Sequence, residues 1–232
     1  MVRSASTQVE RWMRFQEILE RIAAEPTTPQ SVSAQLGPYV ALSREAGSGG
    51  ADIGRLLAER LGWALYDREL VEEIAERLHV APRFVELLDE ARTDWFRDAL
   101  LELVDKRLVH QDTYVRRLGR LMLLAAWEGE AVFVGRGAHL LLPPGNGLLV
   151  RVVAPRAFRM ARLAERDGLE LEDAAHKMDD LDEARATYLR RNFRQAEDVG
   201  FDLVVDAARL GIEGCVDVIV AGLRARGLTV AG

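Results

Sequence analysis

Short apolar segments that alternate with helical patterns constrain the fold of this 232-residue chain more than any other feature. Five segments have the length and composition of buried strands: residues 39–42, 63–66, 131–134, 148–153 and 201–205. Apolar residues at helical spacing follow them, at 53–61, 155–167, 171–195 and 212–226. Strands that alternate with helices form a parallel sheet covered on both faces. The sequence therefore predicts an α/β fold with three layers, α/β/α, around a five-stranded parallel sheet.

Other segments flank or interrupt this pattern. Residues 1–37 combine an amphipathic helical stretch, 9–22, with a linker rich in Pro and Thr. We therefore expect an N-terminal helical extension, followed by one domain over 38–232. Helical patterns within 68–127 predict a helical insertion, and the helices over 155–195 are candidates for a lid. The apolar stripe of the extension must pack on this domain or on a second copy, which would make a homodimer.

Composition argues against several classes of function. The net charge of −6 disfavours a general nucleic-acid binder. No apolar run approaches the ~18 residues of a membrane-spanning helix, and Arg3 and Glu10 interrupt the stretch where a signal peptide would be apolar. Cys215 has no intrachain partner for a disulfide, so we expect a cytoplasmic protein. Lys106 and Lys177 are the two lysines, so phosphate chemistry would depend mainly on arginine.

The turn after the first strand is rich in glycine and lies at the carboxyl edge of the predicted sheet, where ligands bind in such folds. Over residues 43–52 it combines glycines with a following helix N-terminus, which together offer backbone N–H groups to phosphate. The pattern G-x-x-x-x-G-K-[ST] is broken, because Gly50 stands at the lysine position. Arg44 is the candidate to supply the missing charge, and Ser48 or Asp52 to hold Mg²⁺. The alternative is a turn that merely requires small residues.

Two further turns carry candidate side chains. Asp67 follows the second strand, where an acid can orient an acceptor hydroxyl, help hold Mg²⁺ or cap the next helix. Arg136 lies between Gly135 and Gly137 directly after the third strand. A guanidinium at that point can bind phosphate through two hydrogen bonds, or it can form a surface salt bridge.

Arginines recur along the predicted helices of the lid. Those of the first helix, at intervals of three or four residues, are Arg156, Arg159, Arg162 and Arg166. On the next helix, Asp182 and Arg185 precede further arginines. A solvated charged face is one interpretation. The other is a lid whose arginines neutralise a transferring phosphoryl group and exclude water. The four histidines are scattered and predicted to have surface or core roles.

In this order, the motifs resemble those of the cytidylate-kinase-like family. The segments that carry the resemblance are 43–50, 53–54, 66–70, 134–138, 154–159 and 182–188, and it extends from about residue 38 to 211. The resemblance implies a nucleoside-monophosphate-kinase fold of the phosphate-loop class. It also implies ATP and Mg²⁺ as cofactors, and a nucleoside monophosphate, CMP or dCMP above all, as the acceptor.

The resemblance implies a role for each candidate residue. The expected contacts to ATP are in the Gly-rich turn and on the lid: Gly47, Ser48, Gly49, Gly50, Ala51, Asp52 and Arg166. The expected contacts to the acceptor are Asp67, Arg136, Asp182 and Arg185. The side chains expected to stabilise the transferring phosphoryl group are Arg159, Arg162 and Arg185, together with Arg44, whose role follows from the missing lysine rather than from the resemblance.

Two departures from the family pattern define an alternative function. Gly50 replaces the lysine, and Gly137 stands where an acid that helps recognise the acceptor is expected. The first hypothesis is a kinase in which Arg44 replaces the lysine. The second is a non-catalytic nucleotide-binding or sensory protein on the same fold. Nucleic-acid binding rests on the arginine clusters alone, and the net charge disfavours it.

Overall fold

The strands of the sheet are parallel and each is short. The computed structural model describes residues 36–67, 108–109, 113–143, 145–194 and 200–228. Within these ranges the strands are β1 (Tyr39–Arg44), β2 (Ala64–Tyr66), β3 (Ala131–Val134), β4 (Gly147–Val153) and β5 (Leu203–Asp206). Their order across the sheet is β2-β3-β1-β4-β5. The predicted α/β fold with a five-stranded parallel sheet is confirmed.

Helices cover both faces of this sheet. The described helices are α1 (Gly50–Leu61), α2 (Thr113–Glu128), α3 (Ala138–Leu141), α4 (Arg156–Asp167), α5 (Leu171–Asn192) and α6 (Ala207–Ala225). The four-residue helix α3 was not predicted. None of the helices in the described ranges is long and apolar enough to cross a membrane.

Two hydrophobic cores, one on each face, explain why the central strands are continuously apolar. Val40 and Leu42 of β1 pack in the core beneath α1 and α6. Tyr39 and Ala41 alternate with them and pack in the core beneath α2 and α3. A parallel strand that is buried on both faces requires apolar residues at every position. β1 thus holds the centre of the sheet, and the segment after it emerges at the carboxyl edge.

β1 is two residues longer than predicted. The turn was expected to begin at Ser43, but Ser43 pairs with Arg151 and Arg44 pairs with Val152 of β4. The pairing depends on a strand more than 100 residues away, so the local sequence gave no sign of it. Arg44 is therefore the last residue of the central strand, and the backbone that carries it is part of the sheet ladder.

The last helix also differs from its prediction. α6 begins at Ala207 because the Asp206 carboxylate accepts hydrogen bonds from the backbone N–H groups of Ala208 (2.9 Å) and Arg209 (3.4 Å), as an N-cap does. A break at Gly211, with φ 68° and ψ 178°, follows one turn later. The predicted start at 212 corresponds to the point where helical geometry resumes.

Parts of the predicted extension and insertion lie outside the described residues. These parts are 1–35 of the extension, with its expected dimer contact, and most of the insertion, including 68–107. Leu36, at the end of the predicted linker, is buried in the core beneath α2 and α3. Leu118 and Met122 of α2 are buried there too, so the end of the predicted insertion packs against the sheet.

Candidate functional site

Residues 45–49 connect β1 to α1, and we call this segment the glycine loop. It forms a tight turn that hydrogen bonds to the Glu45 carbonyl stabilise. The Glu45 carbonyl accepts hydrogen bonds from Ser48, from its backbone N–H (3.3 Å) and its Oγ (2.8 Å). Gly47 and Gly49 have φ values of 75° and 83°, which glycine adopts without strain. No side chain caps the N-terminus of α1, so this helix end is suited to an anionic ligand.

Gly50, at the position where the phosphate-loop pattern has lysine, lies against Arg44. A Cβ atom at Gly50 would come within 2.5 Å of Arg44 Cβ and 2.9 Å of its Cγ, so only glycine leaves room for the arginine stem. The guanidinium then crosses the end of β3, where a Cβ at Gly135 would lie 1.6 Å from Arg44 Nη1. The missing lysine and the presence of Arg44 are therefore sterically linked.

Arg159 of α4 is packed against the glycine loop, with 13% of its side chain exposed. Its Nη1 donates to Asp182 Oδ2 at 2.6 Å and to the Ala46 carbonyl at 3.3 Å. Its Nε lies 3.5 Å from Glu45 Oε2, which makes an ion pair. The helix backbone is equally near, since a Cβ at Gly47 would lie 2.3 Å from the Arg159 carbonyl oxygen. Arg159 thus packs against the glycine loop and holds it through contacts with Glu45 and Ala46.

Asp182 and Arg185 of α5 meet the glycine loop from the same side. Asp182 Oδ1 accepts a hydrogen bond from the Ala46 backbone N–H at 2.7 Å. Arg185 Nη1 lies 3.5 Å from Asp182 Oδ1 and 3.5 Å from the Arg44 carbonyl oxygen. The structure thus brings together Arg44, Arg159, Asp182 and Arg185, which the sequence placed on three separate elements.

Glu45 is a member of this cluster that the sequence analysis missed. Its Oε2 accepts a hydrogen bond from the Ala154 backbone N–H at 3.3 Å, and its Oε1 lies 3.8 Å from Arg151 Nη2. With the Arg159 contact, one carboxylate connects the glycine loop to β4 and to the start of α4. Its position in the Gly-rich turn was visible in the sequence, but its partners were not.

Arg162 and Asp52 form a second contact between α4 and the N-terminus of α1. Arg162 Nη2 donates to Asp52 Oδ2 at 2.6 Å, and Asp52 Oδ1 accepts from Arg55 at 3.0 Å. Arg162 Nε also lies near Gly49, 3.4 Å from the point where a Cβ would stand. Arg162 remains partly exposed beside the loop, whereas both oxygens of Asp52 already accept from arginines.

The predicted Mg²⁺ ligands, Ser48 and Asp52, both have protein partners in this structure. Ser48 is fully buried and its hydroxyl proton is donated to the Glu45 carbonyl. Asp52 is paired with two guanidinium groups, as described above. Within the described ranges, no group of three or more His, Cys, Asp or Glu side chains could hold a metal ion. The role of Ser48 and Asp52 as Mg²⁺ ligands stays a prediction.

Arg166 lies further along α4, and its guanidinium binds its neighbour. Its Nε and Nη2 donate to the two carboxylate oxygens of Asp167 at 2.7 and 2.9 Å. Lys177 of α5 lies 2.9 Å from the same carboxylate, and these two cations hold the pKa of Asp167 well below its usual value. Arg166 contacts Asp167 in this structure, and its predicted contact to ATP stays a prediction. Ala51 is exposed in the first turn of α1.

Arg136 and Asp67 lie along the same sheet edge, on the side of β3 and β2. Arg136 follows β3 with φ 52°, and its Cζ is 5.6 Å from the centre of the Tyr188 ring on α5. Asp67 follows β2, one of the two edge strands of the sheet. Because β3 separates β2 from β1, roughly 10 Å of sheet lies between Asp67 and the glycine loop.

Comparison with known proteins agrees with this architecture. Residues 39–208 match the model of the cytidylate kinase-like family. The chain belongs to this family. It is 27% identical over 183 residues to a cytidylate kinase of Ignicoccus hospitalis, a match that covers 78% of this chain and 95% of the relative. The crystal structure of an uncharacterized protein from Eubacterium ventriosum superposes with a TM-score of 0.63 at 22% identity, covering 81% of this chain and 98% of that one.

Family and fold together identify the chain as a nucleotide-binding phosphotransferase of the kinase type. The family match spans all the candidate residues, from Arg44 to Arg185. The resemblance predicted from the motifs is confirmed. The roles predicted for the individual side chains stay predictions.

Proposed function

We propose that this protein transfers the γ-phosphoryl group of Mg²⁺-bound ATP to a nucleoside monophosphate, CMP or dCMP, and releases the nucleoside diphosphate and ADP. The observation that carries the proposal is the packing of Arg44 across Gly50 and Gly135. It keeps a cation at the glycine loop although the lysine is missing. Since phosphoryl transfer depends almost entirely on positioning and charge neutralisation, an arginine held there can supply the positive charge of the missing lysine, with the planar geometry of a guanidinium.

The glycine loop has the features that phosphate binding needs. The positive φ values of Gly47 and Gly49 curl the backbone, and the uncapped start of α1 adds the positive end of a helix dipole. Arg162 and Arg185 stand beside the loop, with about a third of each side chain exposed. Together with Arg44 they would supply positive charge to the phosphates of ATP.

The acceptor would bind along the sheet edge between Asp67 and Arg136. Gly137 offers no side chain where the acid is expected, and a Cβ at that position would lie 2.4 Å from the Phe193 ring on a backbone with φ 75°. Recognition of the base by this protein must therefore use other side chains. We also propose that the protein acts in the cytoplasm, on small nucleotides rather than on nucleic acid or at a membrane.

A coupled ADP-release assay tests the proposal. The purified protein would receive Mg-ATP with CMP, dCMP, UMP, AMP or GMP, and a control without acceptor. Turnover with CMP or dCMP is expected. Turnover with a different nucleotide would correct the acceptor. If no acceptor gave turnover although ATP raised the melting temperature, the kinase proposal would fail in favour of the non-catalytic nucleotide binder.

A further inference from the structure

The carboxylate of Asp182 occupies a backbone donor of the glycine loop, and this contact carries an inference about how the loop is held. We propose that Asp182 is a positioning residue that fixes the glycine loop in its phosphate-receiving conformation by binding the Ala46 N–H and Arg159 at once. The inference deepens the proposed function and rests on it for the Mg-ATP binding and turnover readouts, but not for hydrogen exchange. It differs from the direct acceptor contact that the family resemblance implies for this residue.

The contacts form a chain from one helix to the loop. Asp182 Oδ1 accepts from the Ala46 N–H at 2.7 Å, and Oδ2 accepts from Arg159 Nη1 at 2.6 Å. Arg159 Nη1 also donates to the Ala46 carbonyl at 3.3 Å. Both polar groups of the Ala46 peptide backbone are therefore bound by this one acid–arginine pair. Hydrogen bonds of this charged kind are about twice as strong as neutral ones.

The contact decides which part of the loop can receive phosphate. The Ala46 N–H points at the carboxylate, and the Ser48 N–H points at the Glu45 carbonyl. Phosphate oxygens would therefore be received by the glycines that remain, Gly47, Gly49 and Gly50, together with the arginines beside them. Asp182 orients these donors without touching the nucleotide itself.

Arg159 depends on the same carboxylate. Its side chain is largely buried, and its other acidic neighbour, Glu45, lies at 3.5 Å. The substitution Asp182→Asn keeps the shape of the side chain and an oxygen for the Ala46 N–H. It places an amide NH₂ group where Arg159 Nη1 donates, so that two donors face each other. The variant therefore releases Arg159 and replaces the charged acceptor of the Ala46 N–H with a neutral, weaker one, with a minimal change in volume.

The test compares Asp182→Asn with a matched control, Glu183→Gln. Glu183 is the next residue of α5, and its exposed carboxylate pairs with Arg190. Amide hydrogen exchange of peptides covering residues 44–50 would be measured in the nucleotide-free proteins, along with the melting temperature. We expect Asp182→Asn to accelerate exchange in this segment about tenfold or more, and Glu183→Gln to leave it unchanged.

Binding of Mg-ATP without acceptor, measured by calorimetry, supplies the second readout. Asp182→Asn should weaken Mg-ATP binding about tenfold, and this loss should be smaller in an Arg159→Lys background because the two residues act together. A variant that binds Mg-ATP normally but has a raised acceptor KM would overturn the inference, since Asp182 would then contact the acceptor directly. Unchanged loop exchange, or tighter Mg-ATP binding, would overturn it as well.

Failure of the proposed function gives a different result. If the wild-type protein shows no turnover with any acceptor, the kinase proposal fails. Hydrogen exchange in the nucleotide-free variants still decides whether Asp182 holds the loop.

Discussion

Replacing Gly47 by alanine should separate the glycine loop from α4. An alanine Cβ there would lie 2.3 Å from the Arg159 carbonyl oxygen, and its neighbour is helix backbone that cannot rotate away. That is about 1 Å closer than ordinary van der Waals contact, so the loop or α4 must move by that distance. The left-handed backbone conformation adds about 1–2 kcal/mol of strain for any residue with a Cβ.

The matched control is Gly168→Ala, at the C-cap of the same helix. Gly168 has φ 65°, but a Cβ there would meet nothing within 4 Å. It therefore measures the backbone strain alone. We expect Gly168→Ala to lower the free energy of unfolding by about 1–2 kcal/mol, and Gly47→Ala to lower it by a further ~1–3 kcal/mol from overpacking.

Activity should distinguish the two variants more sharply than stability does. A displacement of about 1 Å at a site of phosphoryl transfer reduces the rate about 100-fold. We expect that loss in kcat/KM for Gly47→Ala, and a value within about twofold of wild type for Gly168→Ala. Urea unfolding and the ADP-release assay would measure both. Equal losses of stability, with normal nucleotide binding by Gly47→Ala, would refute the claim that α4 holds the loop.

Two further predictions concern charge. Burial is the main cause that lowers the pKa of His139 from 6.5 to about 4, and the positive charges of Arg151 and Arg44 add to it. The neutral imidazole therefore stabilises the folded protein above pH 6.5, and this stabilisation is lost as the pH falls toward 4. The free energy of unfolding measured in urea should therefore be about 2 kcal/mol lower at pH 5 than at pH 8 because of this group. If His139→Gln showed the same dependence on pH, His139 would not be the cause. Arg162→Ala should weaken Mg-ATP binding about tenfold, because it removes a cation beside the glycine loop. Arg156→Ala removes an exposed ion pair on the same helix, so its affinity for Mg-ATP should stay within about twofold of wild type. Equal effects of the two substitutions would exclude a special role for Arg162.

The sheet and its carboxyl edge could be predicted because each strand is recognisable from its own local sequence. Ala131–Val134, for example, is apolar at every position and is followed by glycine. This pattern is typical of a buried parallel strand. The glycines of the loop and the arginines after Pro155 were equally visible as spacing patterns. The strand boundary at Arg44 was not, since it is set by pairing with Val152.

The partners within the site could not be read from the sequence. Ala46 and Asp182 are separated by 136 residues, and Glu45 meets Ala154 across 109. No local pattern marks which carboxylate a given arginine will bind once the helices pack. The sequence indicated only that Gly50 stands where the phosphate-loop pattern has a lysine. The structure adds that Arg44 fills the space, a relation that depends on the end of one strand meeting the start of a helix.

Moving the positive charge from position 44 to position 50 tests directly whether Arg44 replaces the missing lysine. Steady-state turnover would be measured for wild type, Arg44→Ala, the double variant Arg44→Gly with Gly50→Lys, and Arg60→Ala as an exposed arginine control that pairs with Glu213 and Asp217. If Arg44 supplies the charge of the missing lysine, Arg44→Ala should lower kcat about 10³-fold, the size of effect that an arginine has on a transferring phosphoryl group. The double variant should recover part of this loss, and Arg60→Ala should stay near wild type. Wild-type turnover in Arg44→Ala would show that Arg44 does not replace the lysine.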